Sequence, residues 1–446
     1  HVRHPRARGG VAMNSVVLLF AAVSGGLASE GEAARRAELR SQILRAARAE
    51  VSAAEANVEA ASLGLVPEIS VRLGYSRLGG FEDGGFPGPG GTFQPVKIPR
   101  NRATAEVQLR YGVLGALLGR LQQIESMQAR AVAERLEAEA DRLDVRLEAK
   151  VRFHAYLAAV ETASVAEASL HLAEVQKGRV EARLEAGEAT RADVASAEAR
   201  LQARVAERVQ AGAARATART RLQTWIGLRR EEIVRPPDAW LQLRPSFVVQ
   251  ASRAALLAQA LRSRPEIRAF DALEEAEGSR RGSLLAEIIP EFDLRASYLH
   301  ANPNPNIIPP REEWEGSYTL GGQITWSLER ALAGMAQRRE AGAAADRVRA
   351  LRADLRRSIE EELFMTLDDL DAARAVLGSA HARVSAAQES FHARSAAFEL
   401  GRATLDELLD ADLELARARL QVVESAVAHH GARARLERVI GSLPRS

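Results

Sequence analysis

The sequence Gly-Glu-Ala-Thr at 187–190 recurs as Gly-Arg-Ala-Thr at 401–404, and each copy stands between two long stretches without proline. The pair Ile-Gly at 226–227 recurs as Ile-Gly at 440–441, with the same spacing from the first motif. A repeat of this length indicates a duplicated half-chain rather than a short solenoid unit. Each motif can therefore be interpreted twice, and both copies predict the same order of elements.

The stretches around each Gly-x-x-Thr motif are typical of long helices. They are rich in Ala, Glu, Arg and Leu, and only 4% of the chain is aromatic, a composition that favours packed helices over an aromatic core. In 404–440, apolar residues recur at alternating spacings of four and three, which is the pattern of a coiled-coil seam. Each motif is therefore predicted to join a long helix (117–186 or 331–399) to an antiparallel partner (190–226 or 404–440).

The period changes from helical to alternating upstream of each long helix. At 69–75 and at 292–298 apolar residues alternate with polar ones, which predicts strands with one apolar and one polar face. Residues 78–101 are rich in Gly and Pro and are predicted to form no regular element. Second alternating runs follow, so we predict two antiparallel β-hairpins, at 68–111 and 291–328.

The duplication predicts a domain organisation in two halves. The first structural repeat spans 29–228 and the second spans 251–442, each in the order helix, hairpin, long helix, helix. The initial helices are predicted to be continuous over 33–64 and 252–286. The segment 229–250 contains several prolines and is predicted to connect the halves.

Residues 1–28 are predicted to be a signal peptide. Three arginines precede the apolar run 16–23, and small residues ending at Ala28 follow it; a frayed N-terminal helix is the alternative. The apolar run is too short for a transmembrane helix. The whole chain has 61 Lys and Arg against 59 Asp and Glu, so removal of three arginines leaves a nearly neutral protein. Such a protein lacks the basic footprint of nucleic-acid binding, and no nucleic acid is an expected partner.

Four strands per chain are too few to close a barrel. In lipid a sheet must close, because each unpaired backbone group costs several kcal/mol. Strands of about ten residues are long enough to cross a membrane at a tilt, and three chains would supply twelve strands, within the range of known membrane barrels. A small soluble sheet with one core face is the alternative. The side chains predicted to face lipid are Val71, Leu73, Leu109, Leu294, Leu320 and Ile324. Those predicted to face water are Arg72, Gln108, Arg110, Arg295, Gln323 and Thr325.

The order and duplication of these motifs resemble the TolC-like outer-membrane efflux proteins, or outer membrane factors. The residues that carry the resemblance are the two Gly-x-x-Thr turns, Arg-Pro-Glu-Ile at 264–267, and the Pro-Glu pairs at 67–68 and 290–291. The resemblance covers about 33–442. It implies a fold that is mainly α with a small β part, in a homotrimer whose twelve-stranded outer-membrane β-barrel continues into a twelve-helix periplasmic α-barrel. It further implies docking onto a periplasmic adaptor (membrane fusion) protein, which joins the duct to an inner-membrane pump, and contact with outer-membrane lipid.

The two turns are the candidate docking site that the resemblance implies. Gly187 and Gly401 are predicted to end the long helices at positive φ. Thr190 and Thr404 are predicted to cap the next helices, each with an acid three residues on. In this family such tips contact the adaptor, so these four residues are candidate adaptor-docking residues. Helix capping alone is the simpler interpretation.

Acidic residues after the second turn are candidates for a channel aperture. Glu407 and Asp410 align with the aspartate pair that lines the closed aperture of TolC-like ducts, and Asp193 matches Glu407 in the first copy. Three copies would form an anionic ring that selects cations, to which Asp406 and Asp412 are predicted to add charge; favourable interaction with the helix N-terminus is the alternative. Because Ser196 is the counterpart of Asp410, the second turn is predicted to be the gate.

No catalytic residue, cofactor or metal site is predicted. The sequence has no cysteine and contains no HExxH motif or phosphate-binding glycine loop, and the adjacent pair His429-His430 would point two ways from a helix. The function that the resemblance implies is an exit duct for small molecules in the outer membrane of a Gram-negative bacterium, with a periplasmic helical extension. A type I protein-secretion or metal-ion efflux duct is an alternative of the same class, and a periplasmic coiled-coil scaffold without a pore is one of another class.

Overall fold

The structure is a computed structural model that describes residues 29–80, 84–87, 93–96, 99–228, 240–241, 251–308 and 311–441. The predicted signal peptide lies outside the described residues. So does the connecting segment, apart from Trp240 and Leu241.

The chain is mainly helical with a small β part, which confirms the predicted fold class. The helices of the first half are α1 (Glu30–Arg40), α2 (Gln42–Leu63), α3 (Leu121–Glu185) and α4 (Arg191–Ile226). Those of the second half are α5 (Arg253–Ser263), α6 (Pro265–Ser283), α7 (Leu328–Glu399) and α8 (Leu405–Val439). The strands are β1 (Glu68–Arg77), β2 (Gly84–Pro87), β3 (Phe93–Val96), β4 (Asn101–Gly112), β5 (Glu291–Asn302) and β6 (Glu315–Thr325).

Both helices that were predicted to open the halves are broken in two. The residue before a proline is pushed out of the helical region, and Arg264, which precedes Pro265, has extended backbone (ψ 123°). In the first half the break falls at Ser41 (ψ 124°). Its hydroxyl accepts a hydrogen bond from the N–H of Leu44 (3.2 Å), so it caps α2 as serine commonly does. The break at Ser41 was not predicted, because the stretch around it contains no Pro or Gly.

Two other boundaries differ from those predicted. The second hairpin ends at Thr325 rather than 328, because Ser327 already begins α7: its hydroxyl accepts from the N–H of Arg330 (3.4 Å) and its carbonyl from that of Ala331 (3.0 Å). Before α3, Gly115–Arg120 form a π-helical turn, where the sequence predicted ordinary α-helix from 117.

The prediction that 78–101 forms no regular element is wrong. Strands β2 and β3 pair as an antiparallel ribbon, with Gly85 opposite Pro95. Both strands of a two-stranded ribbon are edge strands. Proline, which has no N–H to donate to a neighbouring strand, is tolerated in such strands.

The chain divides into two compact units, each built from several segments. The helical unit contains the described residues of 1–46, 138–265 and 356–446, and the sheet unit contains those of 47–137 and 266–355.

The core of the helical unit consists of aliphatic and small side chains from several helices. Leu157 of α3, Leu222 of α4, Leu377 of α7 and Ala426 of α8 meet in one cluster, and each is 0% exposed. Since full burial of a leucine side chain contributes about 1.5–3 kcal/mol, this cluster joins the four helices firmly.

Helix α8 is buried along two stripes rather than one. The predicted coiled-coil seam is buried, for example at Leu409 and Val423. A second stripe through Leu408, Leu415 and Leu436 is buried as well. The residues of this second stripe lie seven residues, or a multiple of seven, apart, beside the four-and-three seam that was predicted. A helix that packs against several neighbours needs more than one apolar seam.

The sheet unit contains a four-stranded antiparallel sheet in the order β1-β4-β5-β6. Its register places Val71 opposite Val107, Val107 opposite Tyr298, and Tyr298 opposite Tyr318. Directly paired residues share a face of a sheet, so the apolar positions of all four strands form one continuous face. The pairing of β4 with β5 joins the hairpins of the two halves.

Candidate functional site

The six side chains predicted to face lipid all lie on this one face of the sheet. Their exposed fractions run from 37% for Leu109 to 77% for Leu73. A contiguous exposed apolar surface of this kind marks a binding or membrane surface.

The opposite face of the sheet is polar. All six residues predicted to face water lie on it. Arg110 donates two hydrogen bonds to Asp293 (3.0 and 3.1 Å), whose side chain is only 1% exposed. Arg72 lies 3.5 Å from Glu106. The two faces therefore differ in chemistry along all four strands.

The two Gly-x-x-Thr turns have the same backbone geometry. Gly187 and Gly401 have φ of 79° and 70°, the left-handed region that glycine adopts without strain. The N–H of Glu188 donates to the carbonyl of Arg183 (2.8 Å) and that of Gly187 to Leu184 (3.0 Å). This is the Schellman pattern, and the second turn repeats both bonds. Differences between the turns must therefore come from side chains.

Reciprocal capping boxes follow both turns. The hydroxyl of Thr190 accepts from the N–H of Asp193 (3.2 Å), and the Asp193 carboxylate accepts from the N–H of Thr190 (2.8 Å). Thr404 and Glu407 form the same pair of bonds (3.3 and 3.1 Å). The hydrogen bond from the Thr190 N–H holds the pKa of the Asp193 carboxyl below its usual value. Two of the three predicted aperture acids are thus engaged in capping.

The carboxylate of Glu407 has a second partner. Its other oxygen lies 3.2 Å from a guanidinium nitrogen of Arg394 on α7. Both oxygens of Glu407 therefore have partners within the helical unit.

Asp410 is the aperture candidate that capping does not explain. Its side chain is 76% exposed, and a guanidinium nitrogen of Arg200 on α4 lies at 4.0 Å. Arg200 is closer to Asp406, at 3.2 Å. The Asp410 carboxylate is thus open to solvent and near one cation.

Asp412 does not add to the exposed charge, contrary to the prediction. Its side chain is 8% exposed and lies 3.4 Å from Arg204, whose side chain is 12% exposed. Burial raises the pKa of the Asp412 carboxyl even though Arg204 opposes the shift. Since two turns of helix separate Asp412 from the cap, its burial depends on α4 lying beside α8.

Arg183 and Phe398 link the two turns. The guanidinium of Arg183 lies 4.1 Å above the centre of the Phe398 ring and donates to the Phe398 carbonyl (2.6 Å). A groove of about 660 Å³ lies between the turns, with Asp193, Gly401 and Thr404 in its lining. The predicted docking residues of the second turn, Gly401 and Thr404, therefore line this groove, and the first turn contributes Glu188, Ala189 and Asp193.

The sequence analysis missed three arginines of this site. Arg183, Arg200 and Arg204 all belong to the first copy, and the second copy has Ala397, Glu414 and Ala418 at these positions. At each of these aligned positions the first copy has an arginine where the second has a neutral or acidic residue. A position-by-position comparison of the two copies could have identified the three arginines by this difference.

Among the described residues, no helix is both long enough and apolar enough to span a membrane. In the same part of the chain, no group of three His, Asp or Glu side chains is arranged to hold a metal ion.

Comparisons with known proteins agree with this geometry. The outer membrane efflux protein family model matches residues 33–228 and 256–442. None of the curated protein sequences is significantly similar to the chain.

Several solved structures share the fold. The outer-membrane channel OprN is 21% identical, with a TM-score of 0.75 over 93% of this chain and 90% of that one. The Campylobacter jejuni CmeC outer membrane channel is 13% identical, with a TM-score of 0.74 over 99% and 94%. The open state of the Neisseria gonorrhoeae MtrE outer membrane channel is 18% identical, with a TM-score of 0.74 over 93% and 89%.

Proposed function

The chain belongs to the outer membrane efflux protein family, and from that premise we propose that it is the exit duct of a tripartite efflux system. As a member of that family it is an outer-membrane efflux channel and not an enzyme. In the proposed system a periplasmic adaptor joins it to an inner-membrane pump, and small molecules leave through it. The helices extend into the periplasm.

The observation that carries this proposal is the exposed apolar face of a sheet that has two open edges. Strands β1 and β6 stand at the ends of the sheet order. Unpaired strand edges are not tolerated in lipid, so β6 of one chain pairs with β1 of the next. Three chains close a barrel of twelve strands, with the apolar face toward lipid and the polar face toward the lumen.

The proposal predicts a detergent-extracted trimer that conducts ions. Purification from outer membranes, mass measurement in detergent and planar-bilayer recording test it together. A soluble monomer or dimer without conductance would instead identify a periplasmic scaffold.

The two turns are the proposed adaptor-docking site. Gly187 and Thr190 shape the first turn, whose Glu188 and Ala189 line one groove together with Gly401 and Thr404 of the second. Arg183 joins the turns there through its bond to the Phe398 carbonyl. These contacts give a partner one preorganised surface rather than two independent tips.

Asp410 is the proposed aperture acid. Its exposed carboxylate is free of the cap that engages Asp193 and Glu407. Repeated three times about an axis, it supplies a ring of negative charge that attracts cations.

Replacing Asp410 by Ala is expected to weaken block of the channel by a trivalent cation such as hexaamminecobalt, because each trimer loses three ring charges. Single-channel recording with the blocker on the periplasmic side measures the effect. Ser196→Ala, at the matching position of the first copy, is the control and should leave block unchanged. Equal block of the Asp410→Ala channel and the parent channel would show that Asp410 does not line the aperture.

A further inference from the structure

Three histidines of the helical unit hold Trp240 and Leu241, the two described residues of the segment between the halves. The indole N–H of Trp240 donates to Nδ1 of His154 (3.0 Å). Nε2 of His430 is 3.0 Å from the Trp240 carbonyl oxygen, and Nε2 of His381 is 2.9 Å from that of Leu241. Helices α3, α8 and α7 each contribute one imidazole, and we call this arrangement the histidine clamp.

The partners determine where each imidazole carries its proton. An indole N–H can only donate and a carbonyl can only accept. Nδ1 of His154 must therefore be unprotonated, so its proton is on Nε2, which donates to Glu30 (2.7 Å). The same reasoning puts a proton on Nε2 of His430 and of His381. The clamp thus requires His154 to be neutral, because a doubly protonated ring has no acceptor for Trp240.

The rings of His154 and His430 are stacked. Their centroids are 4.6 Å apart and their planes differ by 10°. The Trp240 ring lies parallel to His430 at 5.9 Å, and Trp240 is only 4% exposed. Two imidazolium ions at this separation would repel each other strongly in a buried site. The geometry therefore suits neutral rings.

Burial favours a neutral His430 at ordinary pH. Burial and, to a smaller extent, the neighbouring His154 together lower the pKa of His430 to about 4. Burial by itself would raise the pKa of Glu30, but the hydrogen bond from His154 and the charge of Arg433 bring it down to about 2. Glu30 is thus an anion between about pH 4 and pH 7.5. The charged and titratable groups around the clamp are Glu30 on α1, Lys150 on α3, Arg374 and His381 on α7, and His429, Arg433 and Glu437 on α8.

We propose that the histidine clamp is an acid-sensitive latch, which releases Trp240 and Leu241 when the stacked imidazoles of His154 and His430 become protonated. A proton on Nδ1 of His154 removes the only acceptor that the Trp240 indole has in the clamp. A second charge on His430 then drives the stacked rings apart. Nothing in the export function requires this latch, so it goes beyond that function.

The test isolates Trp240 as a fluorescent reporter. The chain has four tryptophans, and Trp225→Phe, Trp314→Phe and Trp326→Phe together leave Trp240 alone. In the trimer in detergent, acrylamide quenching of this tryptophan is expected to rise severalfold between about pH 7.5 and pH 4, because a released indole meets solvent. Far-ultraviolet circular dichroism across the same range must stay constant for the change to report the latch. Quenching that stays constant while the protein remains folded overturns the proposal.

Non-titrating replacements separate the latch from general acid effects. Asn at 154 keeps an acceptor near the position of Nδ1, and Gln at 430 keeps a donor near that of Nε2. The double variant His154→Asn/His430→Gln is expected to keep Trp240 protected at both pH values. His171→Gln is the control, because His171 is also on α3 but has an 80% exposed side chain; it should retain the transition. Persistence of the transition in the double variant overturns the proposal.

The single variant His430→Gln serves if the double variant does not fold. This variant has only one ionisable ring in the stack, so repulsion between two charged rings can no longer contribute to release. Loss of the His154 acceptor alone must then release Trp240, and the pH dependence of Trp240 quenching is expected to become shallower. An unchanged transition in this variant also overturns the proposal.

Discussion

Replacing Leu320 by Arg is expected to prevent assembly of the trimer in the outer membrane. Leu320 lies on the apolar face of the sheet and is 73% exposed. An arginine at the middle of the lipid face of a barrel costs about 2–4 kcal/mol. A trimer carries three copies of the change, so its total cost is about 6–12 kcal/mol. We expect the membrane fraction to contain little folded trimer, as measured by gradient flotation and by electrophoresis without heating.

Thr319→Arg is the matched control for this substitution. Thr319 is the adjacent residue of β6 and points to the polar face, where it pairs with Ser297. A lumenal arginine remains hydrated, so the amount of trimer should be close to that of the parent protein. Equal insertion of the two variants would mean that the apolar face does not contact lipid. It would also favour a covered soluble sheet.

Replacing Arg204 by Ala is expected to destabilise the helical unit by about 3–5 kcal/mol, because it removes the guanidinium that pairs with the buried carboxylate of Asp412. Both side chains are at most 12% exposed. The free energy of unfolding from urea titration in detergent measures the loss. The double variant Arg204→Leu/Asp412→Leu should recover much of it, since removing both charges of a buried pair is close to neutral.

The loss should depend on pH in a defined direction. Burial already raises the pKa of Asp412 in the folded protein above its ordinary value, so folding favours the protonated acid and Asp412 destabilises the fold as pH rises above that range. Without Arg204 the pKa rises further. The difference in unfolding free energy between variant and parent is therefore expected to be larger at about pH 7 than at about pH 5.

Arg208→Ala provides the control for a surface ion pair. Arg208 is one turn further along α4 and pairs with Glu167 at 2.9 Å, but both side chains are more than half exposed. Water and salt screen such a pair, so little change is expected at either pH. If Arg204→Ala and Arg208→Ala behaved alike, the pair of Arg204 and Asp412 would not be buried as described.

The turns show which structural features can be predicted from local sequence. Gly187 and Thr190 predicted a helix end at positive φ and a cap three residues later, and both were found in each copy. Such features involve bonds between residues a few positions apart, so residue type is enough to anticipate them. Arg183 was not anticipated, because its partner Phe398 is more than two hundred residues away.

The acids after the second turn illustrate the opposite case. Glu407, Asp410 and Asp412 lie within one short helical stretch. The capping motif distinguishes Glu407, but the local sequence offers no reason to treat Asp410 and Asp412 differently. The structure engages the first in a cap, exposes the second and buries the third against Arg204. Which carboxylate is exposed depends on where α4 lies beside α8, and no local pattern carries that information.

The sequence by itself determined the mainly helical fold, the duplication, the alternating strands and the face that each strand side chain occupies. These follow from periods of 3.6 and 2 residues, which are properties of a single element. Only the tertiary structure decided that β4 pairs with β5 across the two halves, that α8 is buried along two stripes, and that His154, His430 and Trp240 stack. Those outcomes depend on contacts between residues far apart in the chain, and such contacts form only when whole elements have packed together.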